Sequence, residues 1–210
     1  MELNLAKKIE PGVAAALTDA VRELELCSCA EVVIEIRSRS GSYAHADARF
    51  GALVAFVALI VLLFSPWAFR AEWLAVDVAA AWVLGLFLSR KSDLVRHLMT
   101  TSRERIAQAR LVAASVFHER GIANTVSESG ILVYLSLLEG HVEILADRGV
   151  LAVVPPLEWN RIAEAARQRH ATTETLLEIV RALKPLVERY LPSREGDVDE
   201  LCNVPRFVTD

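Results

Sequence analysis

The chain has 210 residues and a formal net charge of −4, with 53% hydrophobic and 24% charged residues. This composition excludes a disordered chain, a collagen-like chain and a strongly basic nucleic-acid-binding protein, so no nucleic-acid partner is expected. The apolar residues are spread unevenly, because residues 50–89 contain three charged side chains: Arg70, Glu72 and Asp77. The composition therefore predicts a polar domain with one apolar insert.

The segment before the insert predicts a helix followed by a strand. Residues 5–26 carry apolar side chains at helical spacing, among them Leu17 and Val21. Residues 30–37 (AEVVIEIR) are rich in β-branched side chains and are bounded by polar residues, which is typical of a β-strand.

The insert predicts a pair of membrane-spanning helices. Residues 50–69 contain no charge and are long enough to cross a bilayer core of about 30 Å as a helix. Residues 73–88 form a shorter apolar run, and the linker 70–72 is short enough to make the pair an antiparallel hairpin. The alternative is a pair of buried helices in the core of a water-soluble domain.

Basic residues flank the insert on both sides and predict its orientation. They are Arg37, Arg39 and Arg49 before it, and Arg90, Lys91 and Arg96 after it. The positive-inside rule then places both termini in the cytoplasm. The N-terminus lacks the apolar run of a cleaved signal peptide, so the first span would direct insertion. We therefore expect an integral membrane protein, with the lipid bilayer as a partner and the polar domain in the cytoplasm.

Asp77 is an ionisable residue within the second apolar run. It lies about four residues from the start of that run, where a carboxylate caps the helix or reaches water at the outer interface. A proton or ion role is the alternative. That role would need a homo-oligomer, because two spans form a path only when several copies assemble.

A long amphipathic helix is predicted after the insert, from about Leu94 to Phe117, with Gly121 at its end. Four arginines lie on or near its polar side: Arg96, Arg103, Arg105 and Arg110. They form either a basic stripe for anionic lipid headgroups or an ordinary solvated face.

The C-terminal half predicts two strands followed by two helices. Residues 130–137 and 141–146 should form an antiparallel pair, with a turn at Glu139-Gly140. An irregular stretch should then lead to a helix that starts at about Leu157. The last helix should begin after Thr172 or Thr173, with a kink or break at Pro185 and a loosely ordered tail from residue 193.

The order of elements predicts an α/β fold. We expect a small three-layer αβα sandwich with a short mixed sheet, interrupted by a two-helix transmembrane hairpin. Residues 1–46 and 94–210 would form one discontinuous cytoplasmic domain, and residues 50–89 would form the hairpin. Residues 193–210 would form an acidic C-terminal tail.

Several short motifs in the polar part occur in a familiar order. They are residues 117–122 (FHERGI), Thr125, 130–136 (GILVYLS), 142–150 (VEILADRGV) and Trp159. These motifs resemble the TPM domain, a family named for the thylakoid lumen, photosystem and membrane proteins that carry it. Residues 30–37 resemble the first strand of that family. The apolar insert resembles its bacterial membrane-bound branch, which implies a bacterial inner membrane. The resemblance covers most of the polar part of the chain.

The resemblance implies a three-layer αβα domain and a short set of roles. These roles are weak acid phosphatase activity, binding of a divalent metal such as Ca²⁺ or Mg²⁺, and accessory or repair functions for membrane complexes. We expect an accessory or scaffold protein for a membrane complex. The alternative is a weak divalent-metal-dependent acid phosphatase, so whether the protein is an enzyme stays open at this point.

The candidate site is the loop after the third strand, Asp147-Arg148-Gly149. Asp147 would serve as a catalytic group or metal ligand, and Arg148 would hold a phosphate oxygen. The alternative is that Asp147 caps the turn. The family's glycine- and acid-rich loop is reduced here, since only Asp147 and Gly149 match it. An acidic metal site needs several oxygen ligands, and His45 and Asp47 are further candidates.

The other chemical motifs are weak. Cys27, Cys29 and Cys202 lack the spacing of a zinc site and are expected to stay reduced in the cytoplasm. The sequence shows no Walker loop, no G-x-S-x-G elbow and no G-x-G-x-x-G fingerprint.

Overall fold

A computed structural model describes residues 11–65, 73–194 and 200–209. The helices are α1 (Pro11–Glu25), α2 (Ala44–Phe64), α3 (Leu74–Arg90), α4 (Asp93–Met99), α5 (Ser102–Glu119), α6 (Arg148–Val153), α7 (Pro156–Gln168) and α8 (Thr173–Tyr190). The strands are β1 (Glu31–Arg37), β2 (Gly130–Ser136), β3 (His141–Ala146) and β4 (Arg206–Val208). The predicted start of the first helix, at residue 5, lies outside the described residues.

The chain forms two compact units. The first contains Gly41–Arg105, and we call it the hairpin unit because it holds α2 and α3. The second contains the described residues from Pro11 to Ser40 and those from Ile106 onward, and we call it the sheet unit.

The sheet unit contains a four-stranded mixed sheet with the order β3-β2-β1-β4. β1 runs parallel to β2 and to β4, whereas β3 runs antiparallel to β2. The prediction of an α/β fold with a short mixed sheet is therefore confirmed. The strands form at the predicted positions because each is a short run of apolar, largely β-branched residues.

Both faces of the sheet carry apolar side chains. Alternate β1 residues Val32, Ile34 and Ile36 belong to a core cluster that also contains residues of α1, α7 and α8. The β1 residue between two of them, Val33, belongs to a second cluster with Leu132 and residues of α5. Burial on both faces explains why the strands are almost continuously apolar in sequence.

Two features of the C-terminal part differ from the prediction. Residues 148–153, expected to be irregular, form the short helix α6. The tail beyond residue 193 was expected to be loosely ordered, but its residues 206–208 pair with Glu35, Ile36 and Arg37 as the edge strand β4. Backbone hydrogen bonds to the edge of β1 hold this strand, so its own sequence carries little signal.

The last helix begins as predicted and continues through its proline. Thr172 caps α8, since its hydroxyl accepts a hydrogen bond from the N–H of Thr175. A kink or a break was predicted at Pro185, and the break is wrong because α8 extends to Tyr190. Pro185 and Arg181, whose carbonyl loses its usual partner, both lie on the exposed side of the helix, where water can replace the missing bond.

The hairpin unit contains two antiparallel apolar helices in close contact. Ser89, near the end of α3, donates a hydrogen bond of 2.7 Å to Asp47, near the start of α2. A Cβ atom on Gly85 would lie 2.8 Å from the Cα atom of Gly51. Glycine at these positions therefore lets the two backbones approach more closely than any side chain would permit.

The helix α2 is long and apolar enough to cross a membrane. It has 21 residues and a mean hydropathy of 2.2, and most of its surface is exposed. The partner helix α3 has 17 residues, and among the described residues α2 alone passes this test of length and composition. The two-span hairpin therefore stays a prediction. The linker residues Arg70 and Glu72 lie outside the described part of the chain.

The prediction of one long helix after the insert is wrong, because the helix is interrupted at Thr100 and Thr101. Thr100 has extended backbone angles, so α4 ends before it. The N–H of Thr101 donates to the Glu104 carboxylate, and the N–H of Glu104 donates to the Thr101 hydroxyl. This reciprocal capping box starts α5 as a new helix.

Candidate functional sites

The predicted catalytic residue Asp147 lies between the end of β3 and the start of α6. Its Oδ1 atom accepts a hydrogen bond of 2.7 Å from the backbone N–H of Arg148, so Asp147 is the N-cap residue of α6. The other carboxylate oxygen, Oδ2, is buried and accepts no hydrogen bond within the described ranges. The side chain thus has a structural role through one oxygen, while the second oxygen has an uncommitted lone pair.

The predicted phosphate ligand, Arg148, pairs with a carboxylate of the same unit. Its Nη2 and Nε atoms donate to the two oxygens of Glu128 at 2.6 and 3.0 Å. This contact lowers the pKa of Glu128 and raises the pKa of Arg148. Both side chains are substantially exposed. Glu128 thus occupies the Nε–Nη2 edge of the guanidinium, so a phosphate oxygen would have to compete with Glu128 or use the Nη1 side.

Gly149 explains why this loop sits against the chain that precedes β2. A Cβ atom at this position would lie 2.7 Å from the backbone carbonyl oxygens of Ser127 and Glu128. The close approach needs glycine, and it also holds Glu128 near Arg148. The loop is therefore a tightly packed connection.

A divalent metal does not fit this donor set. Within residues 11–65, 73–194 and 200–209, no three His, Cys, Asp or Glu side chains come together as a metal site would require. One free carboxylate oxygen on Asp147 falls short of the six or more oxygen ligands that Ca²⁺ or Mg²⁺ takes. Of the further candidates, Asp47 is engaged with Ser89 and Arg96 inside the hairpin unit, whereas His45 is exposed, with its ring centre 6.2 Å from that of Tyr43.

A buried carboxylate cluster lies on β3, and sequence reasoning did not single it out. Glu143 accepts a hydrogen bond of 2.8 Å from His141 Nε2, and it also pairs with Arg110 and Arg167. Burial raises the pKa of Glu143, but the hydrogen bonds from His141 and Arg167 outweigh burial and bring it to about 2. The carboxylate is therefore charged at neutral pH and anchors groups from α5, β3 and α7.

A second buried carboxylate lies in the same row of the sheet. Glu35 of β1 and Glu143 of β3 both pair in register with Tyr134 of β2. The Glu35 side chain is fully buried and bonds to Arg37 Nε at 2.6 Å and to Arg120 Nε at 3.2 Å. Each inward carboxylate is thus matched by guanidinium groups, as buried charges require.

The ends of β1 and β2 are held by a buried polar network. The hydroxyl of Ser40 lies 2.6 Å from those of Tyr134 and Ser136. Glu139 accepts a hydrogen bond of 2.8 Å from the N–H of Ser40 and another, on its second oxygen, from the Ser136 hydroxyl. Burial raises the pKa of Tyr134 to about 12, so its hydroxyl stays protonated. These polar groups form their hydrogen bonds with one another, so the network connects the ends of the two strands.

The hairpin unit has a polar base beside its apolar helices. Arg96 of α4 is buried, and its Nε and Nη2 atoms donate to the two carboxylate oxygens of Asp47 at 3.2 and 3.3 Å. Arg105 donates to the carbonyl oxygens of His97 and Thr100. Arg96 thus links α4 to Asp47 of α2, and Arg105 links the start of α5 to the end of α4.

The two alternatives for the four arginines after the insert were a basic stripe and a solvated helix face, and neither describes all four. Arg96 and Arg105 are buried in internal contacts, and Arg110 pairs with Glu143. Arg103 is exposed. The sequence pattern failed here because α4 and α5 are separate helices, so the spacing of one continuous helix does not apply.

The remaining candidates have plain structural surroundings. Asp77 is exposed in the first turn of α3, where a carboxylate interacts favourably with the helix dipole. Cys27, Cys29 and Cys202 are all thiols, and burial raises the pKa of Cys27. A raised pKa makes the Cys27 thiol a weaker nucleophile at neutral pH.

The fold places the chain among mixed α/β proteins, and the comparisons add one structural likeness. No protein-family model matches the chain, and no curated protein matches it. The chain is similar to the NMR structure of the BA42 protein from the psychrophilic bacterium Bizionia argentinensis. The TM-score is 0.54 at 17% sequence identity, covering 96% of this chain and 99% of that one. A likeness at this identity concerns the fold.

Proposed function

We propose that this chain is a membrane-anchored protein of the TPM type that acts as an accessory or scaffold for a membrane complex. In this proposal α2 and α3 are the two spans of a transmembrane hairpin, and the sheet unit is a three-layer αβα domain in the cytoplasm. The observation that carries the proposal is the surface of α2 and α3, which exposes large apolar side chains such as Phe56, Phe64 and Phe87. The hydrocarbon core of a bilayer covers such a surface, whereas its exposure to water is energetically unfavourable.

The flanking charges support the orientation. Arg49, Arg90 and Lys91 lie at the ends of α2 and α3 nearest to the sheet unit in sequence, and all three are exposed. Cationic side chains at one end of a helical hairpin favour the cytoplasmic side. Both termini would then be cytoplasmic.

A short segment of the sheet unit supports a partner contact. Leu151, Val153 and Leu157 are all exposed, and they lie within seven residues at the end of α6 and the start of α7. Exposed large apolar side chains this close together in the sequence favour a protein contact. We propose this segment, residues 151–157, as the surface that binds another protein of the complex.

The anchor and its orientation are tested with reporter fusions to the full chain. A reporter fused after Asp210 should read as cytoplasmic, and one inserted after Arg70 should read as periplasmic. The protein should also stay with the membrane in an alkaline carbonate wash. Release by carbonate would refute the hairpin, and a periplasmic readout after Asp210 would refute the orientation alone.

The scaffold role is tested by crosslinking in native membranes. The unchanged chain should recover the same partner repeatedly, and Leu157→Asp should abolish that recovery. Val126→Asp is the matched control, because Val126 is also an exposed apolar residue of the sheet unit but lies outside the segment. Equal recovery by both variants would exclude residues 151–157 as the contact.

The alternative is a weak phosphatase centred on Asp147, and the free Oδ2 atom of that residue is the observation in its favour. Hydrolysis of a generic phosphomonoester by the purified chain should then be lost in Asp147→Asn but kept in Asp19→Asn, which changes an exposed carboxylate of α1. Activity that persists without Asp147 would refute this assignment. Runs with and without Mg²⁺ or Ca²⁺ test the predicted metal requirement separately.

A further inference from the structure

The short helix α4 (Asp93–Met99) buries a polar side and exposes an apolar side. It starts three residues after α3 ends, with Ser92 as its N-cap, and it packs on α2 and α3 within the hairpin unit. Its arginine, Arg96, is only 8% exposed, whereas Leu94 and Leu98 are 79% and 77% exposed. A helix at a water surface normally buries its leucines and exposes its arginine.

The buried position of Arg96 is built into the hairpin. The guanidinium bonds to both oxygens of Asp47, and the same carboxylate accepts a hydrogen bond from Ser89. These contacts fix the rotation of α4 about its own axis. Since Leu94 and Leu98 are four residues apart, they then project together on the opposite side.

The end of α3, which precedes these leucines in sequence, also exposes large apolar side chains. Leu84, Phe87 and Leu88 are exposed near the end of α3, and the exposed apolar side chains resume at Leu94. Between them stand the exposed cations Arg90 and Lys91, with Lys91 Nζ lying 4.6 Å from the centre of the Phe87 ring. Arg90 is 67% exposed, with its Nε atom 3.9 Å from the Asp47 carboxylate. Apolar side chains interrupted by exposed cations are typical of the headgroup region of an anionic leaflet.

We propose that α4 is an interfacial helix that inserts Leu94 and Leu98 into the cytoplasmic leaflet, with Arg90 and Lys91 at the anionic headgroups. The Asp47–Arg96 pair locks this helix to the hairpin, so α4 sets the depth at which the hairpin sits. This inference rests on the proposed membrane span of α2 and α3.

The test measures lipid contact at chosen sites of the full chain. The native cysteines are replaced (Cys27→Ser, Cys29→Ala, Cys202→Ser), and a polarity-sensitive fluorophore is attached after Leu98→Cys, Phe56→Cys, His97→Cys or Leu111→Cys. Each protein is reconstituted in vesicles of phosphatidylethanolamine and phosphatidylglycerol, with and without brominated acyl chains. Site 56 lies in the middle of α2, site 97 is an exposed neighbour on α4, and site 111 is an exposed leucine of the sheet unit.

The expected result is strong bromine quenching at sites 56 and 98, with weaker quenching at site 97 and little at site 111. Quenching at site 56 without quenching at site 98 would overturn the inference while leaving the hairpin in place. A blue-shifted but unquenched fluorophore at site 98 would also overturn it, because a protein surface would then cover α4. No quenching at site 56 would instead refute the membrane span itself.

Discussion

The two units of this protein bury opposite kinds of side chain. The sheet unit buries large apolar residues such as Leu17, Val133 and Leu183, and it exposes most of its charges. The hairpin unit buries small or polar residues such as Gly85, Ser89 and Arg96, and it exposes most of the large apolar residues of α2 and α3. The removal of apolar surface from water stabilises the first. The second is held by close backbone contact and internal ion pairs.

Loss of the Glu143 carboxylate should be the most damaging change in the sheet unit. Glu143→Gln leaves Arg110, Arg167 and His141 without their anion, and breaking a buried ion pair costs about 3–5 kcal/mol. We expect the free energy of unfolding, measured by chemical denaturation, to fall by about 3 kcal/mol. This is the lower end of that range because both arginines are partly exposed. The control is Glu23→Gln, which removes a surface pair with Lys184 and should have almost no effect. Equal losses in both variants would contradict the cluster's structural importance.

The same carboxylate should make stability depend on pH. Its pKa is about 2 in the folded chain against an ordinary value of 4.5, so the unfolded chain takes up the proton first. The stabilisation is complete above about pH 4.5 and is lost as the pH falls toward 2. As the pH is lowered through this window, the melting temperature should fall more steeply for the unchanged chain than for Glu143→Gln. Parallel curves would show that other acids determine the acid limit.

A side chain at Gly85 should loosen the hairpin unit. Gly85→Val places atoms where the Cα of Gly51 and the side chain of Val54 already lie, and such overpacking costs about 1–3 kcal/mol. We expect faster proteolysis of the chain in detergent, within the hairpin unit. Ala80→Val adds a similar bulk on the exposed side of α3 and should leave the rate unchanged. If both variants are equally resistant, the glycine contact does not hold the helices together.

Removal of a helix cap should have the smallest effect. Thr172→Ala removes the hydroxyl that accepts from the N–H of Thr175, and the loss of an N-cap costs about 1 kcal/mol. Thr172→Ser keeps the acceptor and should restore most of the melting temperature. A serine variant that melts like the alanine variant would indicate that the hydroxyl is not the cause.

Local signals in the sequence were enough for much of the sheet unit. The runs at 31–37, 130–136 and 141–146 are short, apolar and bounded by turn residues, and each forms a strand. The break between α4 and α5 also had a local signal, because Thr101 and Glu104 stand at capping-box spacing, but the helical period on either side concealed it. The edge strand β4 had none, since three mostly exposed residues gain their structure from β1.

The candidate site was predicted less well, for a physical reason. The position of Asp147 at the end of a strand followed from the sequence, and so did its capping alternative. The partner of Arg148 did not, because Glu128 lies 20 residues away and is brought near by the contact at Gly149. The Glu143 cluster depends on Arg110 and Arg167, which are 33 and 24 residues distant in sequence. Only the folded sheet unit brings these charges together.

The register of β1 has a consequence for the order in which the chain folds. Glu31 pairs with Gly130, and the neighbour on the other side of β1 is β4, near the end of the chain. Both neighbours emerge from the ribosome after α2 and α3, so β1 waits with two open edges while the hairpin is made. A pause in synthesis at this stage would leave this strand exposed to other nascent chains. Assembly of the sheet is thus tied to completion of the hairpin.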